Sequence, residues 1–375
     1  MESSARYDVI IVGGGLAGLT AALHLANANV NILLIEKYEY PHHKVCGEYV
    51  SNEVMPYLKS LGIHPFDTGA IAISHFEISA KDGRKVTTKL PLGGFGISRY
   101  ALDYLLFKAV KERITVVFGT VETIEFEKNS FSVRTIERDT FNGDFVLGAY
   151  GKRSLVDTTL KRAFIKQKSP WLAVKAHYEY SFPSDTVALH NFEGGYCGLS
   201  QVETGAINAC YLTTYKSFKR YGNIDVFQKE VLSQNPHLDS FFEHANLLFE
   251  KPLTISQISF EKKLPVEEHI FMIGDSAGLI HPLCGNGMAM AIHSAKLFCE
   301  IFLKAIKETT FDRERLEIAY QLKWEETFTK RLQMGRRIQS LLLHPATAQL
   351  GLKIAQTFPS ILPKIIKKTH GDLLV

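Results

Sequence analysis

The chain has 375 residues, a formal net charge of +4 and an ordinary share of apolar side chains, so it can bury a large core and about two structural domains are expected. Basic residues are scattered, with clusters only at Lys161-Arg162, Arg336-Arg337 and Lys364 to Lys368, which argues against nucleic acid as a partner. The five cysteines, Cys46, Cys197, Cys210, Cys284 and Cys299, lie far apart without C-x-x-C spacing, so neither a disulfide framework nor a metal site is expected.

Residues 1–6 lead into a strand without the apolar region and cleavage site of a signal peptide, and no apolar run reaches the roughly 18 residues that span a bilayer. A cytoplasmic location is expected. Residues 7–12 read as a buried parallel strand, because Val9-Ile10-Ile11-Val12 is a continuous β-branched run that stops at glycine. The loop Gly13-Gly14-Gly15-Leu16-Ala17-Gly18 follows, then a helix with Leu16, Leu19 and Leu23 on its apolar face, then a second strand ending at Glu36. This is the unit that binds a dinucleotide. Gly13 permits the tight turn, Gly15 admits the pyrophosphate, Gly18 lets the helix approach the sheet, and the helix N-terminus faces the phosphates through Leu16 and Ala17. Glu36, with Lys37 beside it, is placed for the ribose hydroxyls. The loop alone does not separate NAD from FAD.

A second signal comes downstream. A strand over residues 269–273 runs into Gly274-Asp275, then Pro282-Leu283-Cys284-Gly285-Asn286-Gly287-Met288, and a long apolar helix over residues 289–304. Asp275 at a strand's carboxyl end suits a polyol hydroxyl, and the helix N-terminus beyond Gly287 offers N–H groups to a carbonyl. Between the two signals stand Lys44-Val45-Cys46-Gly47-Glu48, Ser98-Arg99 with Leu102-Asp103, a strand over residues 114–121, and Gly148-Ala149-Tyr150-Gly151-Lys152-Arg153-Ser154.

Together these motifs resemble the flavoprotein superfamily of p-hydroxybenzoate-hydroxylase fold, and within it the geranylgeranyl-reductase-like branch, over most of the chain. The resemblance implies FAD as cofactor. It assigns Gly274 and Asp275 to the ribityl chain, Pro282, Gly285, Gly287 and Met288 to the flavin edge, and Lys44, Val45, Cys46 and Gly47 to the path towards the isoalloxazine. It assigns Arg99 to the phosphate or ribose, Val121 to the adenine and Ala149 to the cofactor-lining turn. Arg99 with Asp103 also fits an exposed i,i+4 ion pair. Tyr150 stands where the family's hydroxylases carry an aspartate that helps organise FAD and the nicotinamide, which leaves the electron donor open between NADPH and a protein partner.

The implied fold class is α/β, a Rossmann-like FAD-binding domain with an inserted antiparallel-sheet substrate domain and a C-terminal helical region. The expected division is 1–70, 97–162 and 255–310 for the cofactor, 71–96 and 163–254 for the substrate, and 311–375 for the helices. The inserted segments alternate polar and apolar over residues 71–78, 171–180 and 206–212, and their aromatics point to a wall for an apolar small-molecule substrate. The segment Phe192 to Gly198 resembles a substrate-side element of the reductases, which makes Tyr196 and Cys197 candidates near substrate. Cys46 and Glu48 are the candidate catalytic residues, as proton donors to a substrate carbanion, while a packed thiol and a ribityl-binding carboxylate are the plainer alternatives. His42-His43 lacks further ligands at useful spacing. Helices broken at Pro345, Pro359 and Pro363 are expected at the C-terminus, ending in an amphipathic basic segment that either docks on the protein or meets a membrane surface peripherally.

The function implied is an FAD-dependent reductase or dehydrogenase acting through flavin N5 on a bulky apolar substrate such as an isoprenoid or polyketide. The alternatives are a flavin monooxygenase of an aromatic or phenolic lipid and a flavin electron carrier that depends on a protein donor. No W-x-W-x-I-P element favours a halogenase, and an NAD-only dehydrogenase leaves Gly274-Asp275 unexplained.

Overall fold

The β-branched run at the N-terminus becomes the strand Arg6–Val12, which pairs in parallel with Ile32–Glu36 on one side and Thr140–Gly148 on the other. Thr115–Phe118 and Ile270–Met272 extend the parallel sheet at either end. Val9, Ile10 and Ile11 are fully buried, because a parallel sheet is covered on both faces. The computed structural model describes residues 6–343 and 345–375. The helix Leu16–Asn27 packs between Arg99–Val110 and Gly287–Ala305 on this sheet, so the two signal helices of the sequence lie side by side.

The second sheet is antiparallel except where Thr186–Phe192 runs parallel to Ile71–Ser79. Its order sets Trp171–Glu179, Ile207–Thr214 and Gly195–Gln201 side by side. The short strand Tyr49–Ser51, just beyond the Cys46 segment, joins the far edge by pairing with Lys85–Gly96. Strand alternation gives this sheet two different faces. Leu172, Val174, Ala176 and Tyr178 enter a separate core with Phe227 and Phe241, whereas Trp171 and Ala173 face the other way.

Two expectations change. The strand anticipated over residues 114–121 is split, because the chain turns at Gly119, whose N–H donates to the Glu36 carbonyl at 2.9 Å, and restarts as the antiparallel strand Val121–Glu127. Pro363 does not break a helix. It lies in the first turn of Ile361–Thr369, where an N–H has no intrahelical partner and proline is tolerated. The C-terminal helices Arg313–Leu343, Pro345–Thr357 and Ile361–Thr369 lie against both sheets. Among the described residues, no helix is long and apolar enough to cross a membrane.

Candidate active site

A cavity of 290 Å³ begins at the glycine loop and ends among the C-terminal helices. At its first end, Gly15 precedes the helix Leu16–Asn27 with no side-chain cap and no acidic residue in the first turn. The opening N–H groups of that helix are therefore free for an anion. Gly13 has φ +104° and lies against the Ala149 carbonyl, a backbone that only glycine adopts readily. The helix Gly287–Ala305 likewise starts without a side-chain cap or an acidic residue in its first turn, and Gly287 and Met288 line the same cavity. Two uncapped helix starts converging on one space fit a dinucleotide with its pyrophosphate and a polarised ring carbonyl.

Among the residues singled out in the sequence, Gly15, Leu16, Ala17, Val45, Cys46, Gly47, Glu48, Arg99, Ala149, Gly274, Asp275, Pro282, Gly285, Gly287 and Met288 all line this cavity. Six do not. Gly13 and Gly18 pack beneath the loop. Glu36, 7% exposed, accepts hydrogen bonds from the backbone N–H groups of Gly14 and Tyr38. Lys37 lies over the Tyr38 ring, Lys44 pairs with Asp103 at 3.2 Å, and Val121 is buried at its strand start.

The Arg99–Asp103 pair forms, but it is buried rather than exposed. Arg99 donates from Nε and Nη2 to the two Asp103 oxygens at 2.7 and 2.8 Å. Burial pushes the Asp103 carboxyl up, and the Arg99 and Lys44 charges overcome it to leave the pKa below the ordinary value. The guanidinium, fixed in this fork, sits 3.4 Å from where a Cβ on Gly15 would stand. The ion pair and the phosphate contact are thus compatible roles for one side chain.

Glu48 departs from its expected role. It is fully buried at φ +55°, and its carboxylate is saturated by protein donors. Lys175 Nζ and the Arg99 backbone N–H donate to Oε1, each at 2.8 Å, and His177 Nε2 lies 2.6 Å from Oε2. Burial alone pushes its pKa up, but the His177 hydrogen bond and the Lys175 charge outweigh this and hold it below its ordinary value. An ionised carboxylate with these partners is an anchor, not a proton donor. The neighbouring carbonyls are held too, Cys46 by Asn208 Nδ2 and Gly47 by Ser200 Oγ, each at 3.2 Å. Four side chains from three strands of the second sheet therefore clamp the segment that carries Cys46.

Lys175, His177, Ser200 and Asn208 were not recognised as site residues in the sequence. The sequence held no clear signal, since Lys175 and His177 share one face of their strand with Glu179, the ordinary pattern of a solvated face, and only the fold buries them. His43, rather than pairing with His42, brings its ring nitrogen within 4.8 Å of Glu48 and His177 ligand atoms. The Lys175 ammonium already supplies the positive charge that a cation would bring to this carboxylate. Burial, with help from the Lys175 and His177 charges, lowers the His43 pKa to about 4, so the ring is neutral at pH 7.

Tyr196 and Cys197 separate by strand parity. Tyr196 lines the cavity, but Cys197 points into the opposite core with Phe192 and Phe227. Cys284 lines the cavity, while His281 is buried against Trp171, Phe260 and Tyr196. Tyr150 is absent from the lining, although Ala149, Gly151 and Lys152 are present. Its hydroxyl lies 3.1 Å from Met272 Sδ. Lys263, buried and lowered by burial to about 8, ties the Asp275 turn to the Gly151-Lys152 loop through the carbonyls of Asp275 and Lys152.

A family model described as FAD binding domain matches residues 6–322. The digeranylgeranylglycerophospholipid reductase 2 of Methanothermobacter thermautotrophicus is 24% identical over 362 residues, covering 90% of this chain and 88% of the relative. The digeranylgeranylglycerophospholipid reductase of Methanococcus vannielii is 23% identical over 374 residues, covering 96% and 92%. Among solved structures, the flavin-dependent brominase Bmp2 superposes with a TM-score of 0.78 at 15% identity, covering 97% of this chain and 93% of that one. PqsL of Pseudomonas aeruginosa, described as a probable FAD-dependent monooxygenase, gives 0.74 at 13% identity, covering 92% and 98%. At these identities the structural likeness shows the fold.

Proposed function

The chain belongs to the FAD binding domain family and is an FAD-dependent oxidoreductase, and from that premise we propose that it is a reductase or dehydrogenase of a bulky apolar substrate such as an isoprenoid. The observation that carries this reading is the continuity of the cavity. It passes from the glycine loop along Cys46 and Glu48 into a compartment walled by Leu189, Leu212, Leu342, Leu362 and Ile366. An apolar chain is desolvated there at a gain of about 0.8 kcal/mol per buried methylene. The relatives named as reductases of a geranylgeranyl lipid agree with a substrate of this class.

Bound FAD supplies the hydride transfer. The protein's part is to place the substrate, exclude water and deliver a proton. Glu48 holds the Cys46 segment in register and Arg99 meets the phosphates. Cys46, lining the cavity with its thiol free, is the group we assign to proton delivery. For the electron donor, the withdrawal of Tyr150 from the cavity supports a protein partner over direct reduction by NADPH.

Purified protein should carry the flavin absorption band. After anaerobic reduction by dithionite, adding a geranylgeranyl lipid should reoxidise the flavin and yield a product heavier by two hydrogens. Oxygen uptake that requires an aromatic substrate, with no reduced product, would overturn the reading in favour of hydroxylation. Val187, half-buried on the cavity wall, offers a check on substrate placement. Val187→Trp should lower kcat/KM for a long prenyl chain by about tenfold or more, because even one methylene of misfit costs roughly 1–3 kcal/mol. A short-chain analogue should be little affected.

A further inference from the structure

Residues 327–371 contain eight basic side chains and no acidic one, whereas the rest of the chain has 35 basic and 39 acidic. A protein of net charge +4 thus gathers +8 within residues 327–371 and is net −4 elsewhere. Arg331 pairs with Glu53, but Arg336, Arg337, Lys353, Lys364, Lys367 and Lys368 are exposed.

Apolar side chains accompany this charge. Leu350, Ile354 and Phe358 recur every fourth residue along and just beyond the helix Pro345–Thr357, and they are 58%, 40% and 57% exposed, while Leu352 and Ala355 are buried. The next helix, Ile361–Thr369, turns Leu362 and Ile366 inward and its three lysines outward. Both helices lie over the strand Lys85–Gly96, so their outer faces adjoin. Ile365 is exposed and also lines the cavity, which places the rim of the apolar compartment on this face.

We propose that this face docks on an anionic phospholipid bilayer, with Leu350, Ile354 and Phe358 inserted among the acyl chains and the lysines against the headgroups. A bilayer presents both chemistries in layers, apolar beneath anionic, and an amphipathic basic helix pair matches that order. The rim at Ile365 then faces the membrane, and an apolar substrate enters without crossing water. That last step rests on the reading of the substrate given above, whereas the docking does not.

The test is co-sedimentation of the flavin-loaded full chain with vesicles, without substrate, so that a failure of turnover and a failure of docking are read separately. Vesicles of phosphatidylcholine with one third phosphatidylglycerol should bring the protein down, and pure phosphatidylcholine vesicles should not. Replacing Lys364, Lys367 and Lys368 by Gln should weaken binding on the order of a hundredfold. Leu350→Ser with Phe358→Ser should weaken it while leaving the flavin spectrum intact. Absence of binding to the anionic vesicles, equal binding to both kinds, or wild-type binding by the lysine variant would each overturn the proposal, the last pointing to an occupant other than anionic lipid.

Discussion

Gly18→Ala is expected to give a colourless protein with reduced stability. A Cβ at position 18 would stand 2.0 Å from the Gly13 carbonyl oxygen and 3.2 Å from the Ala149 Cβ. The oxygen belongs to the backbone of the loop itself, so no side-chain rotation relieves the overlap. Either the helix Leu16–Asn27 lifts off the strand or the loop deforms. Forced overpacking of this kind costs about 1–3 kcal/mol, and here the displaced element is the helix start that lines the cavity. We expect the ratio of flavin to protein absorbance after purification to fall more than tenfold, with a lower midpoint in urea. Gly351→Ala is the control. A methyl there meets nothing within 4 Å on the helix Pro345–Thr357, and alanine is the better helix former, so flavin content should be unchanged and stability equal or slightly higher. A yellow Gly18→Ala protein as stable as wild type would show that the loop has room this structure denies it.

Glu48→Gln is expected to destabilise the fold by about 3–5 kcal/mol, the range for breaking a buried ion pair from one side. The amide leaves the Lys175 ammonium fully buried with its charge uncompensated. It also loosens the segment that carries Cys46. Lys175→Met in the Glu48→Gln background should recover a substantial part of the loss, because the buried charge is then gone. Denaturant unfolding of the wild type, the two single variants and the double variant gives the coupling energy of the pair, as the difference between the summed single losses and the double loss.

The same carboxylate makes a pH prediction. Its pKa in the fold lies below the ordinary value of 4.5. Its contribution is therefore complete above about pH 4.5 and disappears as pH falls through the lower, folded-state value. The stability gap between wild type and Glu48→Gln should narrow as pH falls below about pH 4.5. A gap that widens over that carboxylate range would mean that Glu48 is protonated in the fold.

The parallel strand Arg6–Val12, the glycine loop, the helix after it and the downstream Gly274-Asp275 turn were legible in the residues themselves. Each is set by local chemistry: a β-branched run, glycines where a turn and a close approach demand them, and apolar spacing at 3.6 residues. The FAD assignment came from the family resemblance that the glycine loop, the Gly274-Asp275 turn and the Cys46-Gly47-Glu48 element carry together. Other features depended on residues far apart in the chain. The Glu48 carboxylate looked like a free acid until Lys175 and His177, 127 and 129 residues away, arrived from another strand and fixed it as an anion. Cys197 and Tyr196 were equal candidates until strand parity sent one into the opposite core. Arg99 offered an ion pair or a phosphate contact as alternatives, and the fold forms the ion pair beside Gly15. The sequence by itself determined the cofactor machinery, since backbone conformation and helix starts are local properties. Only the tertiary structure decided the charge state of Glu48 and the apolar continuation of the cavity, because burial and pairing exist only once distant strands have met.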